Sequence, residues 1–142
     1  EKEEAQIKEI IAKDTTHQYQ NSASGFWYYY DIENPTQPYT PQTDDQVLFS
    51  FDLRTFANDT LYTSKEKGLI SYKVDKEQLF PGLQNAIKLL RINEKATFLF
   101  PSSQAYGYVG DGERIGPKKP LITNVELHTK IIEEDSLNSK TE

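Results

Sequence analysis

Residues 80–101, Phe80-Pro81-Gly82-Leu83-Gln84-Asn85-Ala86-Ile87-Lys88-Leu89-Leu90-Arg91-Ile92-Asn93-Glu94-Lys95-Ala96-Thr97-Phe98-Leu99-Phe100-Pro101, change hydrophobic period halfway along. Leu83, Ala86, Ile87 and Leu90 recur at the spacing of one helix face, with Pro81 at a first-turn position that needs no N–H. Ala96, Phe98 and Phe100 then alternate as on a half-buried strand, and Pro101 ends it. Working outward, Val47, Phe49, Phe51 and Leu53 alternate upstream, Asn58-Asp59 marks a turn before Leu61 and Tyr62, and Leu69 to Val74 reads as another strand. Downstream, beyond a long glycine-rich loop, Leu121, Thr123, Val125 and Leu127 alternate along the last strand. Strands gathered around one helix, with no β-α-β alternation, predict an α+β domain: an antiparallel sheet packed on a single short helix.

The flanks follow the same logic. Phe26, Trp27, Tyr28, Tyr29 and Tyr30, inside Gly25 to Asp31, are strongly β-prone and read as the first strand. Glu33 to Asp45 holds Pro35, Pro38 and Pro41, which prevent helix and central strand alike and leave an extended connector; a proline-rich ligand segment is the sharper alternative. Residues 1–13 form an amphipathic helix with Ile7, Ile10 and Ile11 on one face, either a spacer leaning on the domain or a partner-binding arm. Residues 14–24 are polar and turn-rich. The expected division is therefore 1–24 as N-terminal helix and linker, 25–131 as the domain, and 132–142 as a disordered tail.

Composition removes several kinds of chemistry. The chain has 142 residues, one domain's worth, with 22 acidic and 16 basic side chains and a net charge of -6. No Lys/Arg cluster tracks a phosphate backbone, so nucleic acid is not an expected partner. The absence of cysteine excludes disulfides, thiolate metal sites and thiol nucleophiles. No apolar run reaches the roughly 18 residues that span a bilayer. A chain without methionine that opens on Glu1 reads as a trimmed product with its true N-terminus upstream. Of two histidines, His17 falls in the linker and His128 is expected to face solvent on the last strand, with no G-x-S-x-G elbow to serve a triad. Asp44-Asp45 and Glu133-Glu134 lack calcium-loop spacing, and Gly107 to Gly112 lacks the G-K-[ST] ending of a phosphate loop. What remains is an excess of aromatic and aliphatic residues around a loop with one phenol, Tyr106, which is either ordinary core or a concave apolar pocket of the form of a small-ligand or peptide site.

Five spaced segments carry a resemblance: Phe80-Pro81-Gly82-Leu83-Gln84-Asn85-Ala86, Glu94-Lys95-Ala96-Thr97, Phe100-Pro101-Ser102 leading to Ala105-Tyr106-Gly107, Ile115-Gly116-Pro117, and Leu121 to Leu127. In order and spacing they resemble the C-terminal half of an FKBP-type peptidyl-prolyl cis-trans isomerase. The Gly25-Phe26-Trp27-Tyr28-Tyr29-Tyr30 opening and Thr43-Asp44-Asp45 are similar to the gliding-motility-associated isomerase lipoproteins of that family. The resemblance spans about residues 25–131 and implies an FKBP-like antiparallel sheet wrapped around one short helix, with the N-terminal helix as an extension.

It also implies a site. Tyr106 matches the pocket tyrosine whose hydroxyl meets the substrate carbonyl, Phe80 the residue whose backbone N–H binds the peptide, and Ile115 an aliphatic residue of the long loop. Leu79, Tyr62 and Ile70 match wall positions, and Phe51 a position where tyrosine is usual. Leu83 stands where eukaryotic members carry a tryptophan floor, Thr123 where phenylalanine is common, and Thr63 where aspartate is frequent. Losing the Phe51 phenol and the aspartate together strands neither partner. The implied activity is rotation about Xaa-Pro bonds in proline-containing polypeptide clients, without cofactor or metal. The implied location is periplasmic or outer-membrane-anchored, the membrane being reached only through a lipidated cysteine upstream of Glu1. Two other readings stay open: a prolyl-binding chaperone without useful isomerisation, and a structural part of a motility or envelope assembly.

Overall fold

The change of period in residues 80–101 is where helix turns back into sheet. In the computed structural model, which describes residues 2–132, the elements in chain order are α1 (Lys2–Lys13), β1 (Gln20–Asn21), β2 (Trp27–Ile32), β3 (Gln46–Phe51), β4 (Leu53–Thr55), β5 (Thr60–Tyr62), α2 (Ser64–Lys67), β6 (Ile70–Lys73), α3 (Pro81–Ile87), β7 (Lys95–Phe100) and β8 (Leu121–Ile131). The strands form one eight-stranded sheet in the order β1-β2-β7-β8-β3-β6, with β4 also on β8 and β5 on β4. Every pairing is antiparallel. This is the expected α+β architecture, with the N-terminal helix present.

The core lies between α3 and the concave face of the sheet. Leu83, Ala86 and Ile87 of α3 are fully buried against Phe49, Phe98, Phe100, Leu121, Val125 and Leu127. Gly82 sets the depth of that contact: a Cβ there would stand 2.5 Å from Cδ1 of Phe100 and 2.7 Å from the Gln104 carbonyl. Phe100 in turn meets Phe26 edge-on at 5.1 Å and stacks with Phe98 at 5.7 Å, geometries that favour aromatic pairs beyond their buried area. The turn from α3 into β7 is closed by Glu94, fully buried, whose carboxylate accepts the N–H groups of Arg91 and Asn34, both at 2.9 Å. A buried carboxylate is tolerable when its lone pairs are filled this way, and here it fastens the proline-rich connector to the helix end.

The sheet's other face is covered by α1. Ile7 is buried against Leu99 and Ile122, with Ile10, Ile11, Trp27 and Phe56 around it; Leu99 and Ile122 alternate with the core residues of β7 and β8 and so point outward. Glu3 fixes the start of the helix to the end of β7, its carboxylate accepting the Ser102 N–H at 2.8 Å. The helix is a docked layer rather than a solvated spacer.

Three expectations are corrected. Residues 14–24 are not a free linker: Gln20 and Asn21 pair with Tyr28 and Trp27, which makes the aromatic strand the second in the chain. Asp14 accepts hydrogen bonds from Thr16 and Tyr19 and sits 2.7 Å from His17 Nδ1, while the His17 ring stacks on Tyr29 at 3.9 Å. His128 does not simply face solvent; it is partly buried, with Nε2 2.8 Å from the Ser50 hydroxyl. The β3–β8 register shifts there, Phe49 facing Leu127 and Leu48 facing Thr129, which leaves His128 as the extra residue of a bulge. The single-turn helix α2 was also unforeseen. Apart from Ile132, the expected tail at 132–142 lies outside the described residues.

Gly82→Ala forces either the Phe100 ring or the helix to move. Overpacking of this kind costs about 1–3 kcal/mol, so the urea midpoint of Gly82→Ala should fall while the slope of the transition is unchanged; a variant as stable as the parent would contradict the role given to this contact.

Candidate functional site

Where α3 begins, the chain cannot fill the space between the helix, the end of β3 and the loop after β7. The result is a cavity of about 550 Å³ lined by Phe51, Leu79, Phe80, Leu83, Ala105, Tyr106 and Val109, among others. No carboxylate, histidine or lysine among the described residues lines it. A second recess, of about 400 Å³, lies between α1 and the β4–β5 turn and is lined by charges of both signs, Lys2, Glu3, Asp59, Lys118 and Lys119. The first has the apolar wall and few polar groups of a ligand site.

Two donors at this cavity are uncommitted. The Phe80 N–H precedes the first turn of α3 and has no acceptor among the described residues, because the chain is extended there (φ -66°, ψ 151°) before Pro81 starts the helix. Tyr106 likewise has no hydrogen-bond partner for its hydroxyl among the described residues, and its ring packs against Phe80 at 5.0 Å. Burial, and then the nearby Asp111 and Tyr62, push its phenol above the ordinary tyrosine range, so it remains a neutral donor at any physiological pH. The turn that carries it is tightly made. After a 3-10 turn at Ser102–Gln104, the Ser102 carbonyl accepts the N–H groups of both Ala105 and Gly107, at 3.0 and 2.9 Å, bracketing Tyr106.

The loop beyond is held by Asp111. Its Oδ1 accepts the backbone N–H groups of Glu113 and Ile115 at 2.8 and 2.9 Å, and its Oδ2 accepts the Tyr62 hydroxyl at 2.6 Å. Burial alone would raise this carboxyl, but the hydrogen bonds from Tyr62, Ile115 and Glu113 outweigh it and hold it below the usual carboxylate range. The same bond to Asp111 raises the Tyr62 phenol. Gly110 makes the turn possible: its φ is +69° and a Cβ would lie 2.2 Å from the Ile115 carbonyl, which leaves room for glycine alone. Lys67, at the end of α2, places Nζ 4.1 Å from the centre of the Tyr62 ring, and Arg114 of the loop places Cζ 4.7 Å from it.

The expected site residues therefore fall into three groups. Phe51, Leu79, Phe80, Leu83 and Tyr106 line the cavity. Tyr62 and Ile115 are buried behind that lining, joined through Asp111, and Ile70 packs half-buried against the same core. Thr63 and Thr123 do other things: Thr63 is exposed and caps α2, accepting the Glu66 N–H while its own N–H goes to the Glu66 carboxylate, and Thr123 is fully buried, its hydroxyl without a partner among the described residues. Sequence reasoning did not single out Asp111, Lys67 or Val109. For Asp111 a local signal existed, since an aspartate two and four residues before Glu113 and Ile115 can fold an Asx turn.

A family model described as FKBP-type peptidyl-prolyl cis-trans isomerase matches residues 37–128. The chain is 33% identical over 128 residues to a protein of Neisseria meningitidis serogroup B, "Probable FKBP-type peptidyl-prolyl cis-trans isomerase FkpA", covering 89% of this chain and 44% of that one. It is 30% identical over 95 residues to human "Peptidyl-prolyl cis-trans isomerase FKBP9", covering 66% of this chain and 16% of that one. The chain thus spans less than half the length of the curated relatives it matches. Among solved structures, FkpA from Escherichia coli superposes with a TM-score of 0.74 at 22% identity, over 91% of this chain and 57% of that one. A peptidyl-prolyl cis-trans isomerase from Pseudomonas syringae gives 0.71 at 20%, over 91% and 92%; both are likenesses of fold. With the apolar cavity, its two free donors and the matching sequence taken together, the chain belongs to the FKBP-type peptidyl-prolyl cis-trans isomerase family.

Proposed function

We propose that this domain accelerates rotation about Xaa-Pro bonds by binding the proline in the cavity at the start of α3. The observation that carries this reading is the pairing of an apolar, carboxylate-free lining with two unspent donors, the Tyr106 hydroxyl and the Phe80 N–H. Rotation is slow because amide resonance imposes a barrier of about 18–20 kcal/mol, and the uncatalysed exchange takes tens to hundreds of seconds. Nothing needs to be attacked. A planar imide is more polar than a twisted one, so a pocket that strips water from it disfavours the ground state relative to the transition state. The two donors orient the peptide by its carbonyl groups while the prolyl ring occupies the apolar floor at Leu83 and Phe51.

The clients proposed are proline-containing polypeptides of the cell envelope, and the proposed location is periplasmic or tethered to the outer membrane. Both rest on the family resemblance, and the association with motility rests on the Gly25 to Tyr30 opening. A second reading, a prolyl-binding chaperone that turns over poorly, is favoured by Leu83 and Thr123, which stand where aromatic residues are usual in the family.

Exchange NMR on a short Xaa-Pro peptide separates the two. The parent protein should accelerate cis/trans interconversion, and Tyr106→Phe, losing one hydrogen bond of about 0.5–1.5 kcal/mol, should lower kcat/KM by about 2- to 10-fold. Broadened peptide lines without faster exchange would establish the binding module instead. The loop anchor makes a separate prediction about pH. Because the folded-state carboxyl of Asp111 lies below its ordinary value near 3.9, its contribution to stability is complete above that value and is lost as pH falls through the lower folded one. The amide proton of Ile115 should therefore keep its hydrogen-bonded shift through pH 4 and move only below it; a midpoint at or above 3.9 would remove Asp111 as the anchor.

A further inference from the structure

Beside the cavity, next to the Phe51 wall, stands an ammonium group held over aromatic rings and without an ion pair among the described residues. Phe51 lines the cavity, and Tyr62 stands behind it with its hydroxyl committed to Asp111. Lys67, the last residue of α2, places Nζ 4.1 Å from the Tyr62 ring centre and 5.9 Å from that of Phe51. Donation of the Tyr62 proton toward a carboxylate leaves its ring richer in electron density, which favours a cation over its face. The ammonium is thus placed over Tyr62 and within reach of the Phe51 ring.

Of the charged groups around it, Arg114 and Glu66 pair with each other. Arg114 donates to both Glu66 oxygens, at 3.1 and 2.9 Å, and to the Leu61 carbonyl. Asp111 has filled its oxygens with Tyr62, Glu113 and Ile115. Lys67 forms no ion pair within 4.0 Å among the described residues, although Asp111 feels its charge. An ammonium has three donors and no acceptor; those turned toward the Tyr62 ring are engaged there, and those turned away are free for an outside acceptor.

Building on the prolyl-binding reading, we propose that Lys67 is a specificity-determining residue of this site, selecting client segments that carry a carboxylate side chain next to the proline. The net charge of -6 works against acidic clients at long range, so such a preference has to be local. Its ligand is an Asp or Glu side chain in an extended peptide whose prolyl ring occupies the cavity beside Phe51.

The test uses matched peptides with Glu or Gln immediately before proline, and a second pair with Glu or Gln immediately after it. Each is titrated by amide-shift NMR for affinity and followed by exchange NMR for turnover, at constant ionic strength. In the parent, one pair should show Glu bound about 2- to 5-fold more tightly than Gln, the range of an exposed charge pair. The ratio should fall to about 1 in Lys67→Gln and invert in Lys67→Glu, and Lys118→Gln, which alters a lysine held over the Tyr108 ring instead, should leave it unchanged. Equal affinities in the parent, or a ratio that survives Lys67→Gln, overturn the proposal even if every peptide is isomerised. A Lys67-dependent preference in binding with no acceleration of exchange sustains it and overturns the isomerase reading instead. Absence of both binding and acceleration overturns the two together.

Discussion

The site depends on how closely α3 lies on β7. With hydrogen in place of a side chain at Gly82, the first turn of the helix rests on the ring of Phe100, and the neighbouring residues inherit their positions from that contact. Leu83 becomes a floor and Phe80 a lip. The Gln104 carbonyl, which also packs on Gly82, belongs to the 3-10 turn Ser102–Gln104 that precedes Tyr106. Phe100 is itself fixed by Phe26 and Phe98, so a run of ring contacts links the aromatic strand β2 to the cavity through Phe100, Phe80 and Tyr106. Close packing of this kind has two arrangements, seated or disrupted, with little between.

The two sides of the cavity are held by different forces. The helix side is apolar and sits on the core. The loop side is held by polar bonds to one carboxylate, Asp111, and by a glycine whose backbone no other residue fits as well. A protein interior resists deformation, whereas a hydrogen-bonded loop opens locally at a lower free energy. The floor is consequently the fixed reference and the loop the adjustable wall, and exposed Tyr108 and Val109 ride on the adjustable part.

Much of this was legible because it is periodic. The switch from helical to alternating spacing at residues 80–101, and the alternation of β3 and β8, are written in side-chain type, and Tyr106 and Phe80 lie inside dense motifs. What escaped has no period. Gln20 and Asn21 are polar and make a strand only because β2 offers an edge. The α2 turn spans four residues and buries none of them, and although Thr63 and Glu66 have capping-box spacing, no apolar run follows to draw attention to it. Asp111 matters through a residue distant in the chain: the Tyr62–Asp111 bond joins positions 49 apart, and a sequence holds no trace of which loop will close over which strand. The bulge at His128 is a matter of register, which alternation on one strand cannot report.

The matched family segment starts at residue 37, yet β2 lies wholly before it and supplies the partner for one whole side of β7, from Trp27 opposite Leu99 to Ile32 opposite Lys95. A fragment cut at that boundary would expose a row of unpaired backbone groups beside Phe98 and uncover Leu99 and Ile122, which α1 shields. Such an edge is a template for pairing with other chains. The segment that defines the family and the segment that can fold alone are separate quantities in this protein, and the residues most easily dismissed as a preamble are what keep its sheet from becoming adhesive.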